Sequence, residues 1–273
     1  MEIHLQLNPD SPDNREILMA SMQELGYDSF WDEPDSLHAY ILKSDYDKAC
    51  LEDAQKQLSP LFDLSFQSSV LADKNWNKIW ESKYDTVRIN DKCGVRAPFH
   101  KPLPDVEYEI IIEPQMSFGT AHHETTAMIL DMLSGMNIQG LDVLDMGSGT
   151  GVLAILAKLK GAARVVAVDY EEWAYRNTKE NIQRNNTEIE VLQGDVDVVK
   201  QRKFDMILAN INRNILIQHL PAYAAMIKPG GQLLLSGFYH NDLDSINQAA
   251  RKNGFFLKHY ASRHDWISAL YFS

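Results

Sequence analysis

Val143-Leu144-Asp145-Met146-Gly147-Ser148-Gly149-Thr150-Gly151 decides the fold. The segment 141–146 (LDVLDM) reads as a buried strand, and it runs straight into three glycines spaced two apart. Apolar residues at helical spacing then fill 151–160. A strand, a glycine loop and a helix in that order form a ligand-binding corner. Glycine lets the backbone take positive φ and approach a ligand closely. The helix N-terminus presents free N–H donors and favours negative groups. The spacing is GxGxG and not the GxGxxG of dinucleotide folds. A tight strand-to-helix turn with no ligand is the competing explanation.

Working outward, the next strand is 164–169 (RVVAVD), and it ends on Asp169. In a doubly wound sheet, ligands sit beyond the carboxyl ends of the strands. An acid there can accept both hydrogen bonds of a ribose diol. Asp169 is equally placed to cap a helix over 171–185. Strands at 189–193, 204–210 and 232–237 alternate with helices at 213–227 and 241–253. That alternation predicts a mostly parallel sheet with crossover helices. Strands 255–261 and 266–272 are joined by four residues, so an antiparallel strand is expected to end the sheet. Upstream, a helix is expected over 123–136.

The first part of the chain has another rhythm. Residues 3–7 (IHLQL) alternate as a half-buried strand does. Ser11-Pro12 opens a helix that Gly26 closes. Strands follow at 28–32 and 37–43, then a helix from Asp45 to Leu58 and a strand over 61–70. The order βαββαβ matches the ferredoxin-like motif. The expected organisation is a ferredoxin-like substrate-recognition domain over 1–70, a linker with some structure over 71–115 and a catalytic domain over 116–273. Trp76 and Trp80 share one face of a short helix in that linker, and Pro98, Pro102 and Pro104 mark extended chain. Tyr108 to Ile112 reads as a strand.

Charge separates the parts further. The 273-residue chain carries 26 basic and 38 acidic side chains, a net charge of −12. Residues 1–60 hold 13 acids against 4 bases, net −9. Such asymmetry suggests an interaction surface for a basic partner, with a solvated face as the bland alternative. It disfavours affinity built on phosphate neutralisation, so no stable nucleic-acid partner is expected. Cys50 and Cys93 form no CxxC, which fits a reducing compartment. Met1-Glu2-Ile3-His4 lacks a basic, apolar leader, and no apolar run reaches membrane-spanning length. A cytoplasmic protein without a membrane partner is expected. Nine scattered histidines show no metal-ligand spacing, and no metal is expected.

A resemblance sharpens these expectations. GSGTG after a strand, Asp169 ending the next strand, and FDMILAN ahead of KPGGQLLLSG resemble class I methyltransferases that use S-adenosylmethionine. Phe118-Gly119-Thr120-Ala121-His122-His123-Glu124-Thr125-Thr126 resembles the FGTGxHxTT segment of the PrmA family, which methylates large-subunit ribosomal protein eleven. Leu208-Ala209-Asn210-Ile211 and Leu235-Ser236-Gly237 are similar to two more segments of that family. The likeness is specific from 117 to 237 and architectural before 75.

The resemblance implies a Rossmann-like catalytic domain and S-adenosylmethionine as cofactor. It also implies ribosomal protein eleven as substrate, modified on lysine side chains or its N-terminal amine. Carried onto this chain, the family's cofactor contacts are Thr125 or Thr126, Gly147, Asp169 and Asn210. Asp145, with Gly149 and Gly151 of the loop, would face the cofactor's methionine part. Asp169 would hold the ribose. Asp195 would accept from the adenine amino group, unless Gly194-Asp195 is a plain turn. Asn210 is the candidate for orienting the amine. His122, with His123 and Glu124 beside it, is a candidate proton relay, against a structural role for loop histidines.

Two segments depart from the family: Ala121 replaces a glycine, and Tyr170-Glu171-Glu172 replaces an Asp-Pro segment. Asn210-Ile211-Asn212 is not the NPPY of adenine and glutamine methyltransferases, which favours a different nitrogen acceptor, as the resemblance implies. The competing functions are a related methyltransferase acting on another protein or on ribosomal RNA, a nicotinamide oxidoreductase, and a non-enzymatic assembly factor.

Overall fold

The structure is a computed structural model. It describes residues 1–27, 29–33, 36–69, 85–113 and 121–273. Trp76, Trp80 and the first part of the FGTAHHETT stretch lie outside the described residues. The chain divides into two compact units, 1–83 and 84–273.

In the first unit β1 (Glu2–Asn8), α1 (Pro12–Glu24), β2 (Ser29–Glu33), β3 (Ser36–Tyr40), α2 (Lys48–Leu58) and β4 (Asp63–Ser69) follow in that order. The sheet order is β2-β3-β1-β4, and every neighbouring pair is antiparallel. Alternation in β1 buries Ile3, Leu5 and Leu7 in one core with Leu18 and Met22 of α1 and Leu51, Ala54 and Leu58 of α2. Both helices therefore cover the same face. Ser11 caps α1 by accepting the Asn14 N–H at 3.2 Å. Helix α2 starts three residues later than the sequence suggested. Asp47 caps it by accepting the Ala49 N–H at 2.8 Å, and Asp45 is held in a preceding turn. An Asp side chain satisfies an orphan helix donor better from the cap than from inside the helix.

The second unit holds a seven-stranded mixed sheet in the order β10-β9-β8-β11-β12-β14-β13. Its strands are β8 (Asp142–Met146), β9 (Arg164–Asp169), β10 (Glu190–Gln193), β11 (Phe204–Asn210), β12 (Ile227–Tyr239), β13 (Phe256–Arg263) and β14 (Trp266–Phe272). The first five are parallel, and β14 runs antiparallel to both its neighbours. Its helices are α3 (Glu124–Gly135), α4 (Val152–Leu159), α5 (Glu172–Arg184), α6 (Arg213–Met226) and α7 (Leu243–Lys252).

Successive side chains of the strands enter opposite cores. Val143, Val165 and Leu208 pack with α3 and α4, whereas Leu144, Val166 and Ile207 pack with α6 and α7. A parallel sheet covered on both faces needs such continuously apolar strands. The hairpin between β13 and β14 turns through His264 and Asp265, both at positive φ, as a two-residue hairpin requires.

The sequence pattern suggests a connector over 71–115, but residues 85–113 belong to the packing of the second unit. They form a small sheet of β5 (Val87–Arg88), β6 (Cys93–Arg96) and β7 (Tyr108–Ile111). Cys93, Val95, Ile110 and Ile112 are buried in the core shared with α3 and α4. The side chain of Asn185, the C-cap of α5, accepts the Ile111 N–H at 2.8 Å and donates to the Ile111 carbonyl at 2.7 Å. One amide thus replaces a missing strand partner. Among the described residues, no helix is long and apolar enough to cross a membrane.

Candidate functional site

The carboxyl ends of β10, β9, β8 and β11 stand side by side. Asp195 follows β10, Asp169 ends β9, the glycine loop follows β8 and Asn210 ends β11. The chain leaves β8 toward β9 and β10, then returns to the other side of β8 as β11. This reversal creates a crevice at the strand ends, where open α/β sheets bind ligands.

The glycine loop fits this position for steric reasons. Gly147 lies at φ +76°, and a Cβ there would come within 2.3 Å of Ile211 Cγ2. Its N–H donates to the Val168 carbonyl at 2.8 Å, which ties the loop to β9. Gly151 precedes α4 at φ +79°, and no side chain caps that helix. The Gly149 N–H donates to Asp169 Oδ2 at 2.8 Å, and the Glu171 N–H donates to Asp169 Oδ1 at 3.0 Å. Asp169 is thus fastened by both oxygens. Each oxygen keeps a second lone pair for a further donor.

Asp145 lies beneath the loop. Its carboxyl is fully buried, and Oδ2 accepts the Ala154 N–H of α4 at 3.1 Å. Oδ1 is buried without a hydrogen-bond partner. Burial, joined by the nearby Asp169 charge, pushes the Asp145 pKa up to about 7. Loss of water disfavours the charged form, and a like charge adds to that.

Asp195 is tethered differently. Its Oδ1 accepts the Val196 N–H at 2.7 Å. It also lies 3.0 Å from Nε2 of His219, a buried residue of α6. Among the described residues the other carboxylate oxygen has no partner. The neighbouring Gly194 N–H donates to the Asp169 carbonyl at 2.8 Å, so the two acid-bearing loops are linked.

On the far side of the loop, Asn210 Nδ2 donates to Thr126 Oγ1 at 3.1 Å. This fixes the amide, and among the described residues nothing donates to its carbonyl oxygen. Thr126 and Thr125 are both buried in the first turn of α3. Thr125 pairs with His123, whose Nδ1 lies 2.8 Å from Thr125 Oγ1 and accepts the Thr125 N–H at 3.3 Å. His123 is therefore the cap of α3. His122 is exposed, and its Nε2 donates to the Asp85 carbonyl at 3.1 Å. Glu124 meets Nδ1 of His264 at 3.3 Å. Of the proposed relay residues, His123 has a structural task, and His122 is bonded to a backbone carbonyl.

The structure brings Gly147, Gly149, Asp169 and the Asp195 loop into one chain of contacts, and it joins Asn210 to Thr126. Sequence reasoning missed three nearby side chains. Trp266 stacks on Tyr239 at 4.0 Å between ring centroids, and His123 stands edge-on to Trp266 at 4.9 Å. The third is His219. None of these lies in a motif, and only the strand ends that carry Tyr239 and Trp266 could have drawn attention to them.

Ala121 is a further particular. It takes φ +68° while its methyl is buried in the core. That backbone region favours glycine. Among the described residues, no three His, Cys, Asp or Glu side chains gather as a metal site.

Comparison with known proteins bears on this site. A family model described as ribosomal protein L11 methyltransferase (PrmA) matches residues 9–271. A ribosomal protein L11 methyltransferase of Phocaeicola vulgatus is 39% identical over 98% of this chain and 97% of its own length. One from Porphyromonas gingivalis is 44% identical over 93% of this chain and 89% of its own. The crystal structure of a ribosomal protein L11 methylase from Lactobacillus delbrueckii subsp. bulgaricus aligns with TM-score 0.64 and 26% identity. It covers 69% of this chain and 98% of that one.

Proposed function

The chain belongs to the ribosomal protein L11 methyltransferase family, and we propose that it methylates amino groups of ribosomal protein L11, on lysine side chains and the N-terminal amine. The observation that carries this reading is the joining of the family's segments at one row of strand ends. There the glycine loop is bonded to Asp169 at 2.8 Å and packed against Ile211.

S-adenosylmethionine is the cofactor this family implies, and the donor set fits it. Asp145 has a buried oxygen with no partner, suited to a cationic donor. Gly147 leaves no room for a side chain, because a Cβ there would meet Ile211 Cγ2 at 2.3 Å, so the loop turns on bare backbone. Asp169 can accept from a diol, and Asp195 keeps one oxygen for an amino group. When bound, this group supplies an electrophilic methyl on a sulfonium. We assign the ribose to Asp169, the adenine amino group to Asp195, and the methionine end to Asp145 and the loop of Gly147, Gly149 and Gly151. Thr125 and Thr126 support the wall on the Asn210 side.

The protein's own work is then positioning. A lysine amine has a pKa of about 10.4 and must lose its proton before it can attack. A closed site beside a cation favours that loss. The free carbonyl oxygen of Asn210, held by Thr126, can accept an amine N–H and aim the nitrogen lone pair. The exposed ring of Tyr239, stacked on Trp266, offers an aromatic surface on which the lysine stem can lie. His122, being exposed, is the remaining candidate for passing the proton to water.

The first unit is read as a ferredoxin-like recognition domain over 1–70, and the catalytic domain takes in residues 85–113, which pack in its core. Its net charge of −9 over 1–60 complements a basic ribosomal protein. Incubation of purified L11 with the enzyme and S-adenosylmethionine should add mass in 14-dalton steps, read by intact-protein mass spectrometry. An unchanged mass, from folded enzyme that binds the cofactor, sinks the proposal.

A further inference from the structure

Helix α6 presents an apolar face to the sheet, with Leu216, Leu220 and Tyr223 fully buried. His219 interrupts that face at only 3% exposure. Burying an imidazole costs free energy that a leucine would not, unless its nitrogens are satisfied. Both nitrogens have partners here. Nε2 lies 3.0 Å from Asp195 Oδ1, and Nδ1 lies 3.3 Å from the Tyr223 hydroxyl. Two acceptors cannot face each other at 3.0 Å, so Nε2 carries the proton toward the carboxylate. With the proton on Nε2, Nδ1 accepts, and Tyr223 donates to it. Burial raises the Tyr223 pKa, and the Asp195 charge adds to that, so the phenol keeps its proton.

The result is a fixed line from a buried phenol through a buried imidazole to one carboxylate oxygen. Asp195 Oδ1 is occupied by His219 and by the Val196 N–H. The carboxylate is half exposed, and only Oδ2 remains open to a ligand. We propose that His219, set by Tyr223, is a positioning residue that presents Asp195 Oδ2 to the amino group of the adenine ring. It thereby makes the site selective for an amino group over an oxo group at that position. This rests on the reading of Asp195 as an adenine contact. An amino group donates to a carboxylate, whereas an oxo group sets acceptor against acceptor. Hydrogen bonds to charged groups contribute about 1.5–3 kcal/mol, so the preference of the native protein should be at least about tenfold.

The test is calorimetric binding of S-adenosylhomocysteine and S-inosylhomocysteine, which differ in that one group. The native protein should prefer the adenosyl ligand at least about tenfold. Asp195→Asn and His219→Leu should each bring the preference to within about threefold, and the double variant should fall no further, because one acts through the other. His219→Gln, which retains a donor, should recover part of the preference. Tyr223→Phe, which spares the fold if His219→Leu does not, should lower it.

If His219→Leu weakens both ligands equally and keeps the preference while Asp195→Asn loses it, the inference about His219 is overturned and the Asp195 reading stands. A preference that survives Asp195→Asn overturns the Asp195 reading, and the inference with it.

Discussion

Two sides of the strand-end crevice hold their acids in different ways. At the glycine loop, Asp145 and Asp169 are fastened by backbone N–H groups of Ala154, Gly149 and Glu171, all within 20 residues of the acid they hold. At the β10 end, Asp195 is fastened by one local N–H and by the side chain of His219, carried on another element. The first arrangement is set by local chain geometry. The second is set by how α6 packs on the sheet. Backbone tethering tolerates any side chain that permits the conformation, and side-chain tethering depends on one residue type. The glycine-loop side should therefore fail through its acids and glycines, and the β10 side through a distant helix.

The largest effect should come from cutting the local side at Asp169. Asp169→Ala removes the acceptor for two loop N–H groups and the proposed ribose contact together. Loss of a hydrogen-bonded charged partner costs about 1.5–3 kcal/mol per bond. S-adenosylmethionine affinity should fall at least about 100-fold by calorimetry, while far-ultraviolet circular dichroism stays native. Near-native affinity would mean that the loop is held by its other bonds, the Gly147 and Ser148 N–H groups on the Val168 carbonyl and Thr178 on the Gly149 carbonyl, and that the ribose lies elsewhere.

Asp145 gives the next effect, and its sign depends on pH. Its folded pKa is raised to about 7 from an unfolded value of about 3.9. The folded state therefore binds more protons than the unfolded state between these values. The contribution of this group to stability is greatest below about pH 4 and falls as pH rises toward 7, by an amount on the order of 4 kcal/mol. Asp145→Asn cannot ionise, but it introduces an amide N–H that has no acceptor, costing about 1–3 kcal/mol. The ligand-free variant should unfold at a lower temperature than the native protein at pH 4 and at a higher one at pH 8. Thermal unfolding at the two pH values reads this crossing. An equal difference at both would show that Asp145 stays ionised without a ligand. Such a site is strained when empty, and a cationic ligand relieves it, which is the arrangement expected of a function-bearing acid.

The same contrast explains what could be read from sequence. The order of strands and helices in the second unit was legible because a doubly covered parallel sheet needs unbroken apolar strands such as Val165 to Val168. The glycine loop and Asp169 were legible because their geometry is local. The βαββαβ order of the first unit was legible from alternation in Ile3, Leu5 and Leu7. Three things were not. The small sheet with Cys93 and Val95 has strands too short to show a period. Asn185 acts as a strand partner for Ile111 from 74 positions away. His219, Tyr239 and Trp266 reach the site through packing, and no spacing along the chain records that. Histidines were singled out at 122 and 123, where the motif lay, yet the ring paired with a site acid is His219.

Ala121 offers the smallest and most discriminating test of the contrast. The local rule places glycine where φ is positive, and ten glycines among the described residues follow it. Ala121 breaks the rule at φ +68°, in a position where the family's motif has glycine. Left-handed backbone costs an alanine roughly 1–2 kcal/mol, so distant packing must hold it there. Its methyl lies in the core beside α3 and is about 1% exposed. Ala121→Gly relieves the backbone but loses a buried methyl, about 0.8 kcal/mol. It also gives the unfolded chain more freedom, about 0.4–1 kcal/mol. These terms nearly cancel, so the melting temperature should move by no more than a few degrees in either direction. Amide exchange in the first turn of α3, where Thr125 and Thr126 sit, should quicken as the methyl anchor is lost. A large stabilisation would show that the strain was never offset by packing. Unchanged exchange would show that the Asn210–Thr126 bond, and not Ala121, sets the entry to α3.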